Sequence, residues 1–250
     1  MTGHIIRTEL RRFVVTPGFW VLGGLFQAGL AWLFFVRLDR FIELQPRIAD
    51  TPGAPGVHDL VASPILLYAA VLMLLTAPLL AMRSLSEERK TGSLLLLQAS
   101  PVTDWQIVWG KFIGLAAVLM IPAVVAVAMA ASLYLGTTLD GARLLTSAFG
   151  LSLTVVTAAA AGTWISAMTR HPPIAAALLY WLFLSLWLAE MAARPGMAYD
   201  NLIQWMALPT HLNPMLEGRL RLSDVGYFVS LAGGFLGLAW ATLGRLRGDA

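Results

Sequence analysis

The residues able to do chemistry are few, and they lie outside the longest apolar stretches. Gly110-Lys111 has the outline of a phosphate loop, in which backbone amides and a lysine cradle a nucleotide. The outline fails on its neighbours: Trp105 stands where the first glycine belongs, and Phe112 where Ser or Thr would hold the metal. The four histidines, His4, His58, His171 and His211, fall in connections, and the chain has no cysteine. Thiolate chemistry is therefore absent, and scattered histidines make a poor metal site. No carboxylate pair lies in an apolar stretch, and a serine nucleophile there would find no base. The ten methionines could take soft copper, but filling irregular helix contacts explains them without it. No catalytic residue, cofactor or metal site is expected in this chain.

The densest polar sequence is Glu87-Glu88-Arg89-Lys90. Gly92 breaks it, Leu94–Leu97 is wholly apolar, and Pro101 stops that segment. Ser100 before Pro101, or Thr103 with Gln106, can cap the helix that follows, and Asp104 suits its positive end. The expected shape is a short charged helix, a glycine hinge, a short apolar helix, a turn and a long helix. A solvated loop whose charges only fix topology accounts for these residues. So does a docking helix that offers paired charges and an apolar ridge to a partner.

The elements around this segment are set by the solvent the chain must face. Its 250 residues are 58% hydrophobic and 12% charged, half the charge of a soluble domain, with mean hydropathy +0.73. Six stretches of roughly 18 or more residues carry no Asp, Glu, Lys or Arg, enough to cross ~30 Å of hydrocarbon as helices. They run at about 18–36, 64–82, 112–135, 144–168, 174–189 and 225–243. The fifth is short, and is extended by starting at Pro172 or Pro173. The fold class is all-α and polytopic, one domain over residues 1–250. A disordered chain, a soluble enzyme and a nucleic-acid binder are excluded. A transmembrane barrel is disfavoured because the apolar residues run on without alternating.

Residues 4–16 set Ile6, Leu10, Phe13 and Val14 at helical spacing opposite Arg7, Arg11 and Arg12. That pattern is an amphipathic helix in the membrane interface, apolar face down and basic face towards anionic lipid. No small-residue cleavage site follows the first span, so no cleaved leader is expected. Residues 37–60, rich in Pro and Gly, read as an irregular loop, and Leu202, Trp205, Met206 and Leu208 suggest a second interfacial helix within 190–224. The side bearing residues 83–111 collects ten Lys and Arg against five acids; the other collects seven against nine. Net charges of +5 and −2, together the chain's +3, put the first side and both termini in the cytoplasm.

The spans hold no ionisable group, and Lys111 sits at a span end where it can snorkel. Ion-coupled transport needs such groups in mid-bilayer, so a carrier working alone is disfavoured. Gln27, Tyr68, Thr76, Thr157 and Thr163 are the candidate pathway-lining residues, because polar side chains in hydrocarbon turn inward.

At the polar connection the sequence resembles a known family. EERKTGSLLLLQASPV (Glu87–Val102), followed by Gly110-Lys111, looks like the signature of ABC-2 type transporter permeases. It is most like the gliding-motility and nitrous-oxide-reductase-maturation branch. Thr16-Pro17 with Trp20, Gln45-Pro46, Pro55-Gly56-Val57 with Asp59-Leu60-Val61, and Pro78 to Arg83 fit that branch. So do His211-Leu212, Glu217-Gly218, Ser223-Asp224 and Tyr227-Phe228, and the likeness covers essentially the whole chain. One departure is Leu95, where such permeases commonly carry Glu, so one salt bridge of the docking surface would be missing.

The resemblance implies a permease that pairs with a second copy or a related permease and binds two copies of an ATP-binding subunit, which would hold ATP and Mg. Residues 4–16, with Ile6, Leu10, Arg11, Arg12 and Phe13, would form the elbow helix. The segment 83–104 would contain the coupling helix, with Glu87, Glu88, Arg89, Lys90, Gly92, Leu94 and Pro101 at the contact. Arg170 and His171 would make a second contact, and residues 190–224 the external hairpin. The implied role is ATP-driven export across a bacterial inner membrane. The rival is a mechanical or assembly component that passes ATP-driven motion to a periplasmic partner.

Overall fold

A computed structural model describes residues 2–48, 55–94, 102–137, 139–192 and 200–248, and among them every regular element is helical. The described residues form ten α-helices: α1 Thr2–Val15, α2 Pro17–Ile48, α3 Ser63–Ala81, α4 Ser86–Thr91 and α5 Asp104–Ala131. Then come α6 Gly141–Met168, α7 Pro172–Ala192, α8 Asp200–Met206, α9 Leu208–Leu216 and α10 Leu222–Gly248. A π-helical turn, His58–Ala62, leads into α3, and a 3-10 turn, Ser132–Leu135, closes α5. Six of these helices, α2, α3, α5, α6, α7 and α10, are long and apolar enough to cross a membrane.

Local chemistry explains the helix ends. Thr103 and Gln106 form the reciprocal capping box that starts α5; of the two expected caps it is the one at the helix start, and Ser100 lies outside the described residues. Asp140 accepts from the amides of Ala142 and Arg143 to start α6, which satisfies two otherwise orphaned donors. The fifth span does begin at Pro172, whose missing N–H costs nothing at a first helical position.

Apolar burial cannot hold such a bundle together, because lipid tails are as apolar as Leu; close packing at small residues does. Helix α6 is the hub, packing against α3, α5, α9 and α10. Its run Ala158-Ala159-Ala160-Ala161-Gly162 is fully buried, and a Cβ on Gly162 would lie 2.6 Å from that of Ala81 on α3. Within the apolar windows, 61% of α6 is buried but only 22% of α2. The first span therefore stands at the edge with one side free.

Three expectations from the sequence are corrected. The irregular loop at 37–60 does not begin at Arg37, because α2 runs on to Ile48. At 1.5 Å per residue its 32 residues reach about 48 Å, well beyond the hydrocarbon, and the buried Phe41 anchors the extension. The second interfacial helix is two helices broken at Ala207. In α8 Leu202, Trp205 and Met206 are exposed, whereas in α9 Leu208, Leu212 and Met215 are buried. Met215 packs so closely on α6 that a Cβ at Gly150 would sit 2.9 Å from its own. Helix α1, finally, is not free of the bundle. Its Ile5, Glu9 and Phe13 side packs on the bundle, while Arg7, Arg11 and Val14 are exposed.

Candidate functional site

The polar connection and the N-terminal helix meet at one place, the end of the bundle where α5 begins and α10 stops. Gly110 and Gly114 make the meeting close. A Cβ on Gly110 would fall 2.7 Å from Ile5 Cγ2, and one on Gly114 2.7 Å from Glu9 Cβ. The small-residue spacing of these glycines thus serves α1, not another span.

Between the two glycines on α5 lies Lys111. It does not snorkel: its side chain is 3% exposed, because α1 and α4 close over it. The ammonium pairs with Glu9 Oε1 of α1 and Glu88 Oε1 of α4, and donates to the carbonyl of Ser84 at 3.3 Å. Arg12 extends the cluster. Its guanidinium pairs with Glu87 and approaches Glu88 at 3.8 Å and Glu9 at 3.9 Å. Three carboxylates thus face two cations. Burying charge is expensive unless it is paired and hydrogen-bonded, so each partner depends on the others staying in place.

The other side of α4 is fixed to α6. Ser166 Oγ accepts from the buried amides of Leu85 at 2.7 Å and Ser86 at 3.1 Å. Arg89 Nη1 donates to the carbonyl of Ala167. Gly92 ends α4 with φ 76°, a left-handed conformation that costs glycine nothing. Leu94 then buries against the bundle. At the far end of the chain, Arg247 pairs with Asp104 at 3.1 Å and donates to the carbonyl of Val102 at 2.9 Å.

Of the expected contact residues, therefore, Glu87, Glu88 and Arg89 are drawn into internal pairs, and Lys90, Arg170 and His171 are the exposed ones. Pro101 and residues 95–100, including Leu95, lie outside the described residues. On α1, Arg11 is exposed, Ile6, Leu10 and Arg12 are half-buried, and Phe13 is buried. Glu9 was not singled out by sequence. Its signal is a lone acid on the Ile5–Phe13 face of α1, one turn from each, opposite a lysine flanked by glycines.

Each candidate lining residue makes a contact within the bundle, although the buried Gln27 Oε1 has no partner among the described residues. Gln27 Nε2 lies 3.8 Å from Met129 Sδ. Tyr68 receives a hydrogen bond from Arg37, whose guanidinium also sits 5.2 Å over its ring. Thr76 and Thr163 bond to carbonyls of their own helices, and Thr157 donates to Phe228 O at 3.4 Å on α10.

Two histidines assigned to connections are buried at the opposite end. His58 Nε2 lies 3.0 Å from Leu216 O, a carbonyl that also accepts from Ser147 at 2.7 Å. His211 places Nδ1 2.9 Å from Asp224 and Nε2 3.0 Å from Trp205 O, and its ring stacks on Tyr227 at 4.2 Å. These bonds clamp α8 and α9 onto α6 and α10. Among the described residues no group of three or more His, Asp and Glu could hold a metal ion.

The geometry is a short polar helix, held on both sides, at the end of an apolar bundle. The family model described as ABC-2 family transporter protein matches residues 4–217, from α1 through α9, leaving α10 outside the match. No curated protein matches the chain.

Proposed function

The chain belongs to the ABC-2 family of transporter proteins, and from that premise we propose an exporter permease driven through α4. Membership makes it a multi-pass permease component of an ABC transporter, a membrane part without catalytic activity of its own, and implies an ATP-binding cassette subunit as partner. The rest is our reading. Two ATP-binding subunits dock on two permeases, this chain with a second copy or a relative of the gliding-motility and nitrous-oxide-reductase-maturation branch. The setting is a bacterial inner membrane, with both termini and α4 in the cytoplasm. ATP and Mg stay in the docked subunits.

The observation that carries this reading is the Glu9–Lys111–Glu88 junction. A push on α4 cannot stay local, because α4 shares a buried ammonium with α1 and α5 and hydrogen bonds with the end of α6. Displacing it tilts spans, the usual way in which a packed interface turns a small shift into a larger one. In this division of labour the exposed Lys90, Arg170 and His171 meet the ATP-binding subunit, and the internal pairs transmit.

Two variants separate these roles. Lys90→Glu reverses the exposed charge and should lower co-purification of the ATP-binding subunit. Arg12→Gln leaves the exposed face intact and should preserve association while lowering transport-coupled ATPase activity. Full association and full coupling in both variants would overturn the assignment. The second reading, motion handed to a periplasmic partner, draws on α8 with its exposed Leu202, Trp205 and Met206. Crosslinks from position 205 that reach only lipid and the chain itself would remove it.

A further inference from the structure

We propose that a pocket between α1, the start of α2 and the end of α3 is a binding site for one anionic phospholipid headgroup. The pocket holds about 290 Å³. Its rim carries Arg12, Arg83 and Glu87, and its floor Phe13, Phe19 and Leu79. An apolar floor beneath a charged rim suits an amphiphile, not a free ion or a peptide.

Charge and depth both select an anionic lipid. Glu87 is paired with Arg12, so that pair contributes no net charge. Arg83 is exposed and makes no ion pair among the described residues, which leaves the rim with one unmatched cation. The pocket also lies at headgroup depth. Helix α1 ends at Val15 and α2 starts at Pro17. At that corner the exposed Trp20 donates its indole N–H to Val14 O at 2.7 Å, the place tryptophan favours at a membrane boundary. The phosphate then meets Arg83, and the first part of an acyl chain lies over Phe13 and Phe19.

The test uses the full chain in nanodiscs of phosphatidylcholine mixed with phosphatidylglycerol, and native mass spectrometry to count retained lipid. The wild type should retain one phosphatidylglycerol in preference to phosphatidylcholine. Arg83→Gln should lower that retention several-fold, and Arg11→Gln, outside the pocket, should not. Gly18→Phe should also lower it: Gly18 lines the pocket, and a Cβ there meets only Thr16 Cγ2 at 3.9 Å. If that variant fails to insert, Arg83→Gln decides alone, since its exposed side chain holds no ion pair. Unchanged retention in Arg83→Gln, equal loss in Arg11→Gln, or displacement of the lipid by inorganic phosphate would each overturn the site. None of these readouts depends on coupling to an ATPase.

Discussion

Lys111 shows how one side chain can tie three helices together. Its ammonium is enclosed by Glu9, Glu88 and the Ser84 carbonyl, and little of it is left for water. Lys111→Met should therefore leave the buried Glu9 with only Arg12, 3.9 Å away, as a cation, at a cost of about 3–5 kcal/mol. A large fall in the thermal midpoint of the purified chain checks this. The triple change Glu9→Gln, Glu88→Gln and Lys111→Met removes all three charges together and should recover much of the loss. A single change as mild as an exposed-lysine substitution would mean the cluster holds nothing. The sequence does not reveal this junction, for a physical reason. A lone acid on a basic helix reads as solvated, and a lysine at a span end reads as reaching for water. Only the contact distances at Gly110 and Gly114 bring the two into one enclosed site.

Helix α4 has six residues, too short to persist on its own, so its position comes from its ties. On the α6 side the tie is Ser166 Oγ, the acceptor for two buried amides. Ser166→Ala would orphan both, at about 1–3 kcal/mol for each unsatisfied group. The effect should be local: faster amide hydrogen exchange at Leu85 and Ser86, with protection in α6 largely kept. Unchanged exchange at both amides would show that α4 is not held there. At this scale the sequence is partly legible. The six spans can be read because charge-free runs of that length have one stable form in hydrocarbon. The extension of α2 past Arg37 cannot, because Arg, Asp and Glu on a helix leaving the membrane resemble a loop. Nor can the break at Ala207, where a tertiary contact of α9 with α6 overrides the amphipathic pattern.

For the whole molecule, the functional reading depends on which end faces the cytoplasm. The sides differ by ten Lys and Arg against seven, and basic residues in short connections are held back from translocation. The structure groups α1, α4, the start of α5 and the end of α10 at one end, so a single orientation settles the side for all four. The absence of cysteine from the chain makes the test direct, since any introduced thiol is the sole target. Lys90→Cys lies at the exposed end of α4, and Leu222→Cys replaces a residue 87% exposed at the start of α10. In intact cells stripped of the outer membrane, an impermeant maleimide should label position 222 and spare position 90 until the inner membrane is opened. Protection of position 90 by the ATP-binding subunit in the opened membrane would then tie orientation to docking. Labelling of position 90 from outside would place α4 where no ATP exists to drive it, and the proposed exporter mechanism would fail with the bundle itself intact.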